Sequence, residues 1–226
     1  MRNPAPIVLF IYNRPQHLRA CLESLTKNEE AAHSKLFIFA DGPKPNATPE
    51  QLEKIRQARA VAHERKWAGE VQVIEKEGNM GLSEAIIRGV KQVIDEYGKV
   101  IVLEDDFILG KYFLKYMNDA LDKYEQTTEV AQIAGFLFPI KTQKSNEAFL
   151  IPLGTTWGWA TWKRVWDAVD FYPNDYMVLA KDRKLSRAFD LDNSYPYTKM
   201  MFRQMMNPNF GSWAFAFGGI CLRRKA

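Results

Sequence analysis

A chain of 226 residues is long enough to bury a sizeable core and falls in the range of a single α/β domain. Hydrophobic residues at 46% and charged residues at 26% match an ordinary folded globular protein and exclude long disordered tracts. The formal charge of +4 comes from scattered Lys and Arg, apart from Arg223-Arg224-Lys225 at the end, so it gives no reason to expect nucleic-acid binding, although a weakly basic surface suits an anionic substrate or lipid.

Cys21 and Cys221 are far apart and share no CxxC or Cys/His spacing, which argues against a disulfide framework or a zinc site and for a reducing, cytoplasmic setting. No apolar run approaches the roughly 20 residues a membrane-crossing helix needs. Membrane contact, if made, is expected to be peripheral, at the inner face.

In chain order, Ile7 to Tyr12 is a continuous β-branched and aromatic run ended by Asn13-Arg14-Pro15, the pattern of a strand buried on both faces. Leu18, Cys21, Leu22 and Leu25 recur at helical spacing, and a second strand, Lys35 to Ala40, stops at Asp41-Gly42-Pro43. Leu52, Ile55, Ala58, Ala62 and Trp67 mark another helix. Glu70 to Ile74 is a third strand, followed by the loop Glu77-Gly78-Asn79-Met80-Gly81. Ile86, Val90, Val93, Ile94 and Tyr97 form a helical stripe, and Lys99 to Leu103 is a fourth strand running into Glu104-Asp105-Asp106. Strands alternating with helices predict an α/β fold with a mostly parallel central sheet and helices on both faces. The second half is less regular. A strand is expected over Val130 to Phe138, an aromatic-rich stretch spans Trp157 to Trp166, and Tyr172 to Asn209 reads as helices and loops without a clear period.

Three consecutive acids after a buried strand are costly unless a cation compensates them, and hard cations such as Mg²⁺ or Mn²⁺ take carboxylate oxygens and share their coordination with phosphates. The alternative is a solvated acidic turn. Asp41 also closes a strand and opens onto the same sheet edge, where it either accepts a hydrogen bond from a base or caps the Asp-Gly-Pro turn. Arg14 follows the first strand, placed to meet a base or phosphate or else simply to lie on the surface. Asn79 and Gly81 flank Met80 just before a helix whose first N–H groups attract anions. Thr155 to Trp162 holds three of the six tryptophans, so Trp157 and Trp159 are candidates for stacking on a sugar or for ordinary core packing.

Taken in order, the strand before Asn13-Arg14-Pro15, Ala40-Asp41-Gly42, Asn79-Met80-Gly81-Leu82, Glu104-Asp105-Asp106 and Trp157-Gly158-Trp159-Ala160-Thr161 resemble the GT-A-fold glycosyltransferases, over most of residues 5–170. The chain is most similar to bacterial family-2-type sugar transferases of the kind used in polysaccharide biosynthesis. Its motif Val102-Leu103-Glu104-Asp105-Asp106 is similar to that of Golgi N-acetylglucosaminyltransferases. The resemblance implies one Rossmann-like domain over 1–226, with a nucleotide-binding half (1–106) and an acceptor-binding half (107–226). It implies a DXD-type motif, with Asp106 as the direct ligand of Mn²⁺ or Mg²⁺, Glu104 and Asp105 near the donor sugar and ribose, and Asp41 and Arg14 holding the base.

The implied reaction moves a sugar from a nucleotide-diphosphate donor, UDP first, to a glycan or lipid-linked acceptor by an inverting displacement. Such enzymes usually carry an acid beside a Trp in the segment matching Phe210-Gly211-Ser212-Trp213. Here Ser212 stands at the catalytic position without one, Trp213 joins Trp157 and Trp159 as a candidate for contact with the acceptor, and the chain stops soon after it. The expectation is therefore slow transfer, with a catalytically impaired nucleotide-sugar-binding protein as the alternative. A nucleotidyltransferase ranks below both, because Asn13-Arg14-Pro15-Gln16-His17 is not a Gly-rich basic loop.

Overall fold

The computed structural model describes residues 4–137, 150–151, 154–169, 171, 181–206, 213–214 and 217–218. Its centre is a six-stranded sheet of order β3-β2-β1-β4-β6-β5, formed by β1 (Ile7–Ile11), β2 (Lys35–Ala40), β3 (Glu70–Glu75), β4 (Lys99–Glu104), β5 (Ile133–Ala134) and β6 (Trp159–Trp162). β1 pairs parallel with β2 and β4, and β2 with β3, whereas β6 runs antiparallel to β4 and β5. All five residues of β1 are buried, as expected of a central parallel strand covered by helices on both sides.

The crossovers fix where the helices go. Helices α1 (Pro15–Leu25) and α2 (Pro49–His63) connect β1 to β2 to β3 in one direction. Helix α3 (Leu82–Tyr97) then returns the chain past both strands to β4. Right-handed crossovers place α1 and α2 on one face and α3 on the other. The contacts agree: α1 packs on α2, and α3 lies against β1 and β4. Pro15 sits at the start of α1. Thr48 and Gln51 form a capping box at α2, which satisfies two otherwise unpaired backbone N–H groups.

Helix α4 (Phe113–Lys123) and the segment leading into it are tied to the end of α1 and the turn after it by two buried polar groups: Asn28 Oδ1 accepts the N–H of Leu114 in α4 at 2.9 Å, and Ser24 Oγ accepts that of Leu109 before it at 2.9 Å. The short α5 (Lys163–Trp166) follows β6 directly. Two further helices, Arg183–Phe189 and Tyr197–Met206, occupy the region where no period was legible. Asp182 caps the first of these, and Asp190 Oδ1 accepts the N–H of Thr198 at the start of the second.

The core is continuous around the sheet and includes Trp159, Trp162 and Trp166. Several elements differ from the sequence reading. The strand expected over Val130 to Phe138 is confined to Ile133–Ala134, and Phe138 lies outside the described residues. Leu52 is exposed on α2. Trp67 lies beyond the helix, buried, with its indole N–H donating to the Val61 carbonyl at 3.0 Å. Among the described residues no helix is long and apolar enough to cross a membrane.

Candidate functional site

Strand order reverses between β1 and β4: from β1 the chain steps outward to β2 and β3, then returns to β4 on the opposite side. Loops leaving the carboxyl ends of two such neighbouring strands diverge to opposite faces and leave a crevice, where open α/β sheets bind their ligands. Arg14 follows β1, and Glu104 ends β4 with Asp105 and Asp106 directly after it, so register and topology bring Arg14 and Asp106 together across 92 positions of sequence. The Arg14 guanidinium bridges two successive carboxylates, with Nη2 2.6 Å from Asp105 Oδ1 and Nη1 2.8 Å from Asp106 Oδ2. The Asp105 side chain is 3% exposed and that of Asp106 39%.

Burial alone would lower the Arg14 pKa, but Asp105 and Asp106 outweigh it and the net shift is upward. Burial pushes the Asp105 carboxyl up against the opposing pull of Arg14. Glu104 is raised to about 7, first by burial and then by Asp106 and Asp105.

Asp41, at the end of β2, holds a loop. Its Oδ1 accepts the N–H groups of Gly42 at 2.9 Å and Met80 at 3.0 Å, and its Oδ2 accepts Asn79 Nδ2 at 2.9 Å and the Gly81 N–H at 3.2 Å. Asn79 Nδ2 also donates to the Gly42 carbonyl at 3.0 Å. Gly81 has φ +81°, a backbone conformation that side-chain-bearing residues rarely adopt, and from it α3 begins without a side-chain cap. The turn at Asp41 and the loop before α3 are thus one hydrogen-bonded unit.

Two hollows adjoin the acidic triplet. The first, about 350 Å³, is lined by Tyr12, Arg14, Asp41, Lys44, Asn79, Gly81, Leu82 and Asp105. The second, about 470 Å³, is lined by Asp106, Phe107, Phe113, Phe136, Trp157 and Gly158. Glu104 borders both. Arg14, Asp41, Asn79, Gly81 and Asp105 therefore share one hollow, while Asp106 and Trp157 share the other.

The other two candidate tryptophans are corrected. Trp159 is 1% exposed, with its ring stacked on Trp166 and on Trp213 at centroid separations of 5.9 and 5.0 Å. Trp213 is buried as well, and its N–H donates to Ser83 Oγ at 3.0 Å. A ring covered by other rings offers no face to a sugar. The difference follows from position: Trp159 lies in the paired strand β6, opposite Val102, whereas Trp157 precedes the strand on the far side of Gly158, whose φ is +65°, and is 47% exposed. Ser212 lies outside the described residues.

The apolar wall of the second hollow, Phe107 with Phe113 and Phe136, was not read from the sequence. Its one local signal is the apolar run Phe107-Ile108-Leu109 directly after the acids. Lys44, in the first hollow, carries no signal beyond its place after the Asp-Gly-Pro turn.

A doubly wound sheet with charged loops converging at its switch point defines the class: an α/β protein that takes its ligand at the carboxyl edge of β1 and β4. The model of the family described as "Glycosyl transferase family 2" matches residues 7–225, and the chain belongs to that family. Its sheet, mostly parallel with helices on both faces, fits the GT-A fold. No curated protein matches the chain. Among solved structures it is similar to S. aureus TarS, at 18% identity over 54% of this chain, with a TM-score of 0.38. A second structure, of TarS residues 1–349, gives 18% identity over 54% of this chain and a TM-score of 0.39. The alignments span 20% and 33% of those two chains.

Proposed function

We propose that this glycosyltransferase takes a nucleoside-diphosphate sugar, with uridine as the base, and transfers the sugar with inversion to a hydroxyl of a glycan or lipid-linked acceptor. One observation carries the reading: the acidic triplet stands where two hollows meet, one among the β1, β2 and α3 loops and the other beside an exposed tryptophan. In this reading the nucleotide occupies the first hollow. Asp41, through Asn79 and Gly81, shapes its wall, and the uncapped first turn of α3 offers N–H groups to the diphosphate. The acceptor lies in the second hollow against Trp157.

The donor set suits Mn²⁺ or Mg²⁺. Among the described residues no three His, Cys, Asp or Glu side chains converge on one position, so the site is no all-protein cage. One or two carboxylates beside room for a diphosphate is the arrangement these hard cations accept. Asp106, exposed to the second hollow, would hold the ion with Glu104 adjacent, and the ion would neutralise the departing diphosphate. The acceptor hydroxyl must lose its proton as the new bond forms, and a positioned base is worth about 10²–10⁴-fold. With Gly211-Ser212 where an acid is expected, the proposed transfer is slow.

The test is a calorimetric titration of UDP into wild type and Asp106→Ala, each with Mn²⁺ and with EDTA. Wild type is expected to bind UDP in the presence of Mn²⁺ and to lose most of that affinity in EDTA, whereas the variant binds weakly in both. Equal affinity of the two proteins in Mn²⁺ overturns the assignment of Asp106. Tight metal-dependent binding without turnover on any acceptor would establish a nucleotide-sugar-binding protein instead.

A further inference from the structure

We propose that Arg14 is the internal cation with which a divalent metal must compete at Asp106, so that the metal binds tightly only together with the donor's diphosphate. The inference rests on the metal-dependent reading above and adds a coupling that the acidic triplet alone does not specify.

The geometry is that of a clamp. The two terminal nitrogens of the planar Arg14 guanidinium reach two consecutive carboxylates: Nη1 donates to Asp106 Oδ2 at 2.8 Å, and Nη2 forms an ion pair with Asp105 Oδ1 at 2.6 Å, outside hydrogen-bond alignment. Asp105 is buried, and a buried carboxylate needs a nearby positive charge. Among the described residues, Arg14 is the cation paired with either Asp105 or Asp106. The clamp is anchored at its base: the Arg14 carbonyl accepts the N–H of Leu18 at 3.0 Å in the first turn of α1, and Pro15 follows. The side chain itself is 45% exposed, so the guanidinium borders open space as well as the two carboxylates.

A divalent ion arriving alone at Asp106 meets one carboxylate already engaged and a positive charge within a few ångströms of it. A diphosphate changes both conditions. Arg14 lines the first hollow, so a diphosphate lying there offers the guanidinium an alternative anion and also brings the metal its own oxygen ligands. Releasing Arg14 from Asp106 and binding the metal then become one event. By linkage, nucleotide tightens metal by the same factor that metal tightens nucleotide. Arg14 is thus a positioning residue that sets the order of assembly.

The experiment follows free Mn²⁺ by electron paramagnetic resonance during titration of wild type, Arg14→Gln and Arg14→Lys, without and with saturating UDP. Without UDP, Arg14→Gln is expected to bind Mn²⁺ about tenfold more tightly than wild type, a typical coupling between neighbouring sites. Arg14→Lys should fall between them, because it keeps the charge and loses the two-pronged contact. The tightening produced by UDP should be smaller in Arg14→Gln than in wild type. Loss of the clamp leaves Asp105 unpaired, so Mn²⁺ should also raise the denaturation midpoint of Arg14→Gln more than that of wild type. Equal or weaker Mn²⁺ binding by Arg14→Gln in the absence of UDP overturns the inference and leaves the metal-dependent reading intact. If no protein binds Mn²⁺ even with UDP, that reading falls first and takes the inference with it.

Discussion

Both oxygens of Asp41 are filled by four donors drawn from its own turn and from the loop before α3, so the carboxylate is the hinge pin of the nucleotide-side wall. Asp41→Ala should release that loop. A hydrogen bond to a charged group is worth about 1.5–3 kcal/mol, so the UDP dissociation constant should rise by at least roughly tenfold while the Mn²⁺ requirement persists. An unchanged dissociation constant in the folded variant would reduce Asp41 to a turn cap. Glu104 makes a pH prediction. Its folded pKa of about 7 exceeds the ordinary 4.5, so between those values the folded protein holds a proton that the unfolded chain has released. Stability therefore falls as pH rises from about 4.5 to about 7 and then levels off. In EDTA, Glu104→Gln should be more stable than wild type at pH 8 by roughly 1–3 kcal/mol, and little different at pH 4. Denaturation curves at the two pH values decide it. Cys21, pushed up to about 12 by burial and then by Asp105, should be inert. At pH 8 only about one part in ten thousand is thiolate, so in a Cys221→Ser background a thiol reagent should label the folded protein at the rate of unfolding. The acids and Asp41 were legible because polar residues directly after an apolar strand stand out. The pairing of Arg14 with Asp105 and Asp106 was not, since only strand order brings residues so distant in sequence together.

At the scale of elements, β1, β2 and β4 were legible because strands buried on both faces read as unbroken apolar runs, the edge strand β3 because Val71, Val73 and Ile74 sit among polar residues, and the helices as a 3.6-residue stripe. β6 was not. Its four residues, Trp159–Trp162, are all buried, so no alternation marks a face, and their antiparallel register with Val102 to Lys99 is a long-range choice. The packing of α3 on β1 makes a sharp test. A Cβ at Gly89 would lie 2.7 Å from Phe10 Cε1 and 3.3 Å from Phe39 Cδ2, two rings that are themselves stacked at 5.5 Å. Gly→Ala in an exposed helix interior normally stabilises by roughly 0.5–1 kcal/mol. Here overpacking should win, and Gly89→Ala is expected to lower stability by about 1–3 kcal/mol. A rise in the urea midpoint would show that the rings yield freely.

At the scale of the whole molecule, two tryptophans one residue apart on either side of Gly158 divide structure from site. Trp159 carries the sheet outward: its ring stacks on Trp166 of α5 and on Trp213 and meets Phe217 at a tilt, 4.9 Å away, so one side chain joins β6, α5 and the described C-terminal residues. Trp157, one residue before the positive φ of Gly158, meets Phe136 edge-on at 4.6 Å and keeps nearly half its surface exposed beside Asp106. Two truncations should therefore separate cleanly. Trp159→Ala removes a fully buried ring and should cost about 3–5 kcal/mol, enough to threaten folding of the C-terminal part. Trp157→Ala should leave the unfolding free energy within about 0.5 kcal/mol of wild type, as surface changes do. If the second hollow holds the acceptor, that same variant should leave UDP affinity unchanged and slow transfer while sparing donor hydrolysis, because only the acceptor loses its stacking surface. Indole fluorescence sharpens the contrast: the signal that changes on adding acceptor should vanish in Trp157→Ala. Persistence of that signal, or weakened UDP binding in Trp157→Ala, would place the acceptor elsewhere and return Trp157 to the ordinary surface.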